Sequence, residues 1–140
     1  MSKVAIVFWS ATGNTETMAN CIAEGAGANG TLVSCTEMTP AKLAEFDVVA
    51  FGCPAMGAEQ LEESEFEPMF AALEGSLNGK KIALFGSYGW GDGQWMRDWA
   101  QRAQDDGAQL FSEEGLICNE TPDDDVQAAC RKLGADLVAW

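Results

Sequence analysis

The chain predicts an α/β fold in one domain over residues 1–140: five buried parallel strands with helices on both faces of the sheet. Three observations lead there. Short apolar runs without polar alternation recur along the chain, as strands covered on both faces require. Between them lie stretches whose apolar residues repeat at helical spacing. A length of 140 residues, 47% of them hydrophobic, suits one core.

Lys3–Trp9 reads as the first strand and Asn14–Ala26 as a helix, with Met18, Ala19, Ile22 and Ala26 on one face. Thr31–Cys35 is a second strand, followed by a short helical stretch near Pro40–Glu45. Asp47–Gly52 is a continuous apolar third strand, Phe66–Leu73 a helix and Lys81–Gly86 a fourth strand. Gly93–Gln104 is a helix that sets Trp95, Met96, Trp99 and Ala103 on one side. Ala108–Phe111 and Gly115–Cys118 form one last strand, bent or bulged in the middle. Pro122–Ala139 closes the chain as a helix, with proline in its first turn and Asp123 to Asp125 at its positive end.

Composition narrows the function. Twenty-two acids against eight bases give a net charge of −14, which repels nucleic acid and anionic lipid and favours partners with a basic face. With no histidine, Ser-His and Cys-His nucleophile pairs and His-ligated metals are excluded. Cys21, Cys35, Cys53, Cys118 and Cys130 are widely spaced without a C-x-x-C, so they read as free core thiols of a reducing compartment and not as metal ligands. The apolar run Val4–Trp9 is too short for a signal peptide or a membrane span. A cytoplasmic protein is expected.

In parallel α/β sheets, ligands bind beyond the carboxyl ends of the strands, where strand order reverses. The first such loop, Ser10-Ala11-Thr12-Gly13-Asn14-Thr15, carries three hydroxyls, an amide and a glycine but no cation. Backbone N–H groups at a helix start attract an anion, hydroxyls add donors, and glycine lets the backbone bend close. A phosphate monoester fits; a plain helix cap by Asn14 or Thr15 is the alternative. Neither the Walker nor the dinucleotide glycine pattern is present.

Trp9-Ser10-Ala11-Thr12-Gly13-Asn14-Thr15-Glu16 resembles the flavodoxin phosphate loop. Two further stretches resemble flavodoxins of the short clostridial type: Gly52–Gly57 continuing into Leu61–Pro68, and Gly79–Gly93. The resemblance covers essentially the whole chain. It implies the strand order 2-1-3-4-5 and a monomeric, low-potential electron carrier with non-covalent FMN, passing single electrons between redox proteins through a stabilised neutral semiquinone.

By the same resemblance, Ser10, Ala11, Thr12, Gly13, Asn14 and Thr15 surround the FMN phosphate. Pro54, Ala55, Met56, Gly57, Ala58 and Glu59 form the second flavin loop; Ser87, Tyr88, Gly89, Trp90 and Gly91 form the third. Met56 and Trp90 are expected on opposite ring faces, the Gly57–Ala58 peptide beside N5, Glu59 at N3–H and the Gly89 N–H at the pyrimidine oxygens. Ala11, Pro54 and Ala58 depart from residues common in the family. If the Gly57 carbonyl turns toward N5, Gly57 takes positive φ; if away, Ala58 does. Alanine resists positive φ by about 1–2 kcal/mol, which biases the turn toward the first form.

No Lys or Arg lies in Ser10–Thr15, Met56–Glu59 or Ser87–Gly93, whereas Glu59, Glu62, Glu63, Glu65 and Asp92 are near in sequence. A unit charge about 10 Å away contributes roughly 1.7 kcal/mol at an effective dielectric constant of about 20. Such acids oppose a second electron; the 62–67 group also suits a solvated helix start. Two other functions compete with the carrier. A phospho-acceptor receiver domain needs acids where Ser10 and Cys53-Pro54 stand. An FMN-dependent reductase would act on a bound substrate, for which no acid–base pair or subdomain is visible.

Overall fold

The computed structural model describes all 140 residues. The elements are β1 (Val4–Phe8), α1 (Asn14–Ala26), β2 (Gly30–Ser34), α2 (Pro40–Leu43), β3 (Val48–Gly52), α3 (Phe66–Leu73), β4 (Lys81–Tyr88), α4 (Gln94–Asp105), β5 (Gln109–Leu110), β6 (Leu116–Asn119) and α5 (Asp124–Ala139). All strand pairs are parallel and the order is β2-β1-β3-β4-β5, with β6 also pairing β4. β5 and β6 are two pieces of the fifth strand position. They pair with Lys81–Ile82 and Phe85–Tyr88, so the five residues 111–115 bulge past two residues of β4.

Alternate residues of the central strands enter different cores. Val4, Ile6, Val48, Ala50, Ala83 and Phe85 pack with α1 and α5. Ala5, Val7, Val49, Phe51, Ile82 and Leu84 pack with α3 and α4. This two-sided burial is why the strands read as unbroken apolar runs. The second core is aromatic: Trp99 meets Phe66 edge-on at 5.4 Å and Phe70 at 5.7 Å. The first is built on close backbone approach. A Cβ on Gly134 would sit 2.0 Å from the Ile22 carbonyl oxygen, and one on Gly25 would sit 1.8 Å from that of Arg131.

α1 and α3 have the predicted bounds; elsewhere pairing and caps move the ends. β1 and β3 are trimmed to Val4–Phe8 and Val48–Gly52. β2 starts at Gly30, which pairs with Val4, and stops at Ser34, whose side chain caps a 3-10 turn over Cys35–Glu37. α2 is a single turn capped by Thr39. β4 runs two residues further than expected because Ser87 and Tyr88 pair with Cys118 and Asn119. α4 begins one residue late because Gly93 is its left-handed cap, φ +91°. Pro122 is not in the first turn of α5: Asp123 caps that helix, its Oδ1 accepting from Val126 N at 2.9 Å, so Pro122 lies outside.

β2 and β3 flank β1, so strand order reverses between β1 and β3. The loops following β1, β3 and β4 therefore emerge at one end of the sheet.

Candidate functional site

The β1–α1 loop is shaped by Gly13, the N-cap of α1, at φ +96° and without a side-chain cap bond. Ser10 Oγ accepts from the N–H groups of Gly13 (3.1 Å) and Glu16 (3.3 Å), which leaves its own proton to donate. The N–H groups of Asn14 and Thr15 have no acceptor in the protein. Ala11 and Thr12 are exposed and Asn14 is half-buried. Neutral donors gathered at the positive end of a 13-residue helix suit a phosphate. Thr15 sits differently from a simple phosphate ligand. It is buried, shares a 2.9 Å hydrogen bond with Ser87 Oγ and accepts from Ser87 N at 3.3 Å. Its hydroxyl therefore stitches the first loop to β4.

The second loop leaves β3 through two fixed points, Cys53 N to Phe85 O (3.1 Å) and Ala55 N to Ser87 O (3.0 Å). Pro54 between them is half-buried and Ala55 is buried. Met56 and Gln60 then exchange both backbone hydrogen bonds at 2.8 Å, closing a hairpin around Gly57, Ala58 and Glu59. Gly57 has φ +52° and Ala58 does not have positive φ. Glu59 has φ +54°, a conformation costing a non-glycine residue about 1–2 kcal/mol. Met56 is half-buried, while Gly57 and Ala58 are exposed.

The third loop begins within β4. Ser87 is buried, and the ring of the half-buried Tyr88 packs 5.4 Å from Trp95, so Tyr88 leans on the core. Gly89 and Gly91 are exposed, and between them Trp90 is 55% exposed. The Trp90 indole N–H donates to Gly57 O at 3.2 Å, and Gln94 N donates to Glu59 Oε1 at 3.1 Å. Gly91 has φ +79°, and a Cβ there would fall 2.5 Å from the Glu59 carboxyl carbon. Only glycine lets the third loop lie against Glu59. Beneath both loops, Trp95 Nε1 donates to Cys53 O at 3.1 Å.

The predicted positions thus converge: the first loop meets the third through Thr15 and Ser87, and the second meets the third through Gly57 with Trp90 and Glu59 with Gln94. Their donor set fits FMN, with cation-free N–H and hydroxyl donors for a phosphate and, for a flat ring, a thioether, an indole, a carbonyl and a carboxylate. Gln94 and Trp95 fasten the second and third loops; the sequence marks Trp95 only as a core-facing residue of its helix and gives Gln94 no role.

Glu62 departs from the solvated helix start that its sequence suggests. It does not belong to a solvated acidic face: it is 6% exposed, and its carboxylate accepts from the N–H groups of Ser64 (2.8 Å), Glu65 (2.8 Å) and Phe66 (2.9 Å) and from the Ser64 hydroxyl. Burial raises its pKa, but these hydrogen bonds outweigh burial and hold it down at about 2. The neighbouring thiols go the other way. Burial pushes Cys53 up to about 12 and Cys35 to about 11, so neither is a thiolate near neutral pH. All five cysteines are free and buried.

The sequence profile of the family described as Flavodoxin matches residues 6–133. A flavodoxin of Megasphaera elsdenii is 48% identical over 134 residues, covering 94% of this chain and 95% of that protein. One of Clostridium beijerinckii is 42% identical over 136 residues, covering 95% and 97%. The solution structure of two-electron reduced Megasphaera elsdenii flavodoxin superposes with a TM-score of 0.85 at 44% identity, covering 98% of this chain and 99% of that one. With these matches running nearly end to end over the same three loops, the chain belongs to the flavodoxin family, whose members are FMN-binding electron carriers and not enzymes.

Proposed function

We propose that the single domain of residues 1–140 holds FMN between its three loops and passes single electrons between soluble redox proteins. The observation that carries this reading is the convergence of the loops on one sheet end, cross-linked by Thr15–Ser87, Trp90–Gly57 and Gln94–Glu59. When bound, FMN supplies two one-electron steps. Ser10 to Thr15 hold its phosphate with neutral donors. Pro54 to Glu59 and Ser87 to Gly91 would enclose its ring, with Met56 and Trp90 as the side chains that would pack against it.

Positive φ on Gly57 and not on Ala58 supports a turn whose Gly57 carbonyl would be placed to accept a hydrogen bond from the bound flavin once it is reduced. That carbonyl also accepts from the Trp90 indole N–H at 3.2 Å, and its second lone pair stays available to another donor. The second step is opposed by an end of the molecule rich in acids. Glu16, Glu63, Glu65 and Glu120 are exposed there, and Arg97 is already paired with Asp92 at 3.0 Å. This surface suits a partner with a basic docking face. Five free cysteines suit a reducing cytoplasm, and no helix is long and apolar enough to cross a membrane.

Titrating FMN against the flavin-free protein, followed by flavin fluorescence, should give one site that prefers FMN to riboflavin. Trp90→Ala should weaken that binding and leave unfolding nearly unchanged, since the indole is mostly exposed. Gly57→Thr should make the first reduction step harder by tens of millivolts, in line with about 1–2 kcal/mol of backbone strain. Protein that takes up neither flavin would end the reading; an unchanged first step in Gly57→Thr would end only the turn mechanism.

A further inference from the structure

We propose that Glu62 is a positioning residue for the flavin turn, the buried anchor through which the Met56–Gln60 hairpin is held to the start of α3. This rests on the FMN reading above. The hairpin has two roots. The leading root is bonded to β4 through Cys53 and Ala55. The trailing root has only buried Leu61 between Gln60 and Glu62, and no strand receives it.

Glu62 takes that place with every polar group it has. Its N–H donates to Cys53 Sγ at 3.3 Å, joining the trailing root to the leading one. Its carbonyl accepts from Glu67 N at 2.8 Å, inside the first turn of α3. Its carboxylate gathers the N–H groups of Ser64 and Glu65, which lead into α3, and of Phe66, the first helical residue, whose N–H the helix itself leaves without a partner. Glu65, the residue at the N-cap position, makes no side-chain cap bond, so the cap of α3 is supplied from three residues upstream. Met56, Gly57, Gln60 and Glu62 also line one cavity of about 370 Å³, so the anchor and the turn it serves face the same space.

Two effects can be separated. A charge near the flavin opposes added electrons wherever the turn sits, and neighbouring Glu63 carries the same charge with no hydrogen bond in the structure. An anchor instead controls how firmly Met56 and Gln60 stay paired, and through the Gly57 carbonyl it controls the first reduction step.

The test compares Glu62→Ala, Glu62→Gln and Glu63→Gln. In flavin-free protein, amide hydrogen exchange at Met56 and Gln60 should speed up about tenfold in Glu62→Ala, the scale of a lost helix cap. Glu62→Gln, which keeps one acceptor oxygen, should show a smaller increase, and Glu63→Gln none. In FMN-loaded protein, the first midpoint potential should fall in both Glu62 variants, whereas loss of charge alone would raise it. Unchanged exchange at Met56 and Gln60, or first-step potentials that rise equally in Glu62→Gln and Glu63→Gln, would overturn the anchor. The exchange measurement contains no flavin, so it decides the anchor even if FMN binding fails. Should Glu62→Ala not fold, Glu62→Gln against Glu63→Gln carries the same comparison.

Discussion

Two carboxylates at opposite ends of the helical layer over the aromatic core show how strongly surroundings decide a charge. Glu62 lies before the N-terminus of α3, where three N–H groups and a hydroxyl converge on it, and it stays ionised down to a pKa of about 2. Asp106 lies at the C-terminal cap of α4, where carbonyls point outward and no cation is left over. Arg102 is already spent on Glu67 (2.7 Å to each oxygen) and Glu74 (2.7 and 3.1 Å). Burial, together with a hydrogen bond to Glu74 and its charge, pushes Asp106 up to about 6, and its Oδ2 has no partner. At the loop end of the molecule Glu62 therefore stays charged across the neutral and mildly acidic range, whereas Asp106 at the far end gives up its proton only near pH 6. A carboxylate follows its donors, not its net depth.

The largest effect that sharpens this contrast should come from Glu62→Ala. It leaves three backbone donors unpaired, at least one of them buried, and should lower unfolding free energy by roughly 2–4 kcal/mol at pH 7 in urea titrations. The sign with pH is set by the lowered pKa: stability from ionised Glu62 is complete above about 4.5 and drains away as pH falls toward 2. The variant should therefore lose part of the wild-type acid sensitivity. A loss below about 0.5 kcal/mol would return Glu62 to the solvated acids.

Arg102→Met should rank next, by roughly 1–3 kcal/mol, because it strands Glu67, Glu74 and Asp106 together and removes the guanidinium 4.9 Å over the Phe70 ring while keeping an apolar stem. Thermal unfolding should show the gap widening from pH 5 to pH 8 as carboxylates that lost their cation ionise.

The smallest of the three is a gain. Asp106 has a folded pKa above its ordinary 3.8, so its contribution is present at low pH and is lost as pH rises through about 6. Asp106→Asn should match the wild type near pH 4 and exceed it by about 1–2 kcal/mol above pH 7. If instead the variant is destabilised at pH 7, Asp106 is a paired anion and the two ends are not opposites.

Much of this molecule was readable beforehand where local rules are strong. α1 matches residue for residue because a glycine-led polar loop precedes it and its apolar face repeats at helical spacing. The three candidate loops stood out because each carries side chains that a core strand or solvated turn has no use for, and the structure brings them together at one end of the sheet. Positive φ at Gly57 followed from the cost of placing it on Ala58. Glu62 was hidden because a glutamate in Leu-Glu-Glu-Ser-Glu-Phe-Glu has the composition of a wet helix start. Which of four acids turns inward depends on where α3 presents its free N–H groups. The inward turn of Thr15 was hidden for a like reason, since its partner Ser87 is 72 residues away.

By itself, the sequence determined the alternation of strand and helix, the two-sided burial of the sheet and the chemistry of the loops. These rest on periodicity and on residue types that act within a few positions of one another. Only the tertiary structure decided where β4 ends, which hydroxyl of the first loop faces β4, that Trp90 reaches Gly57, and that Glu62 is buried with a lowered pKa while that of Asp106 is raised. Each of those depends on donors, acceptors and charges carried by other elements, and their balance exists only once the chain has brought them into contact.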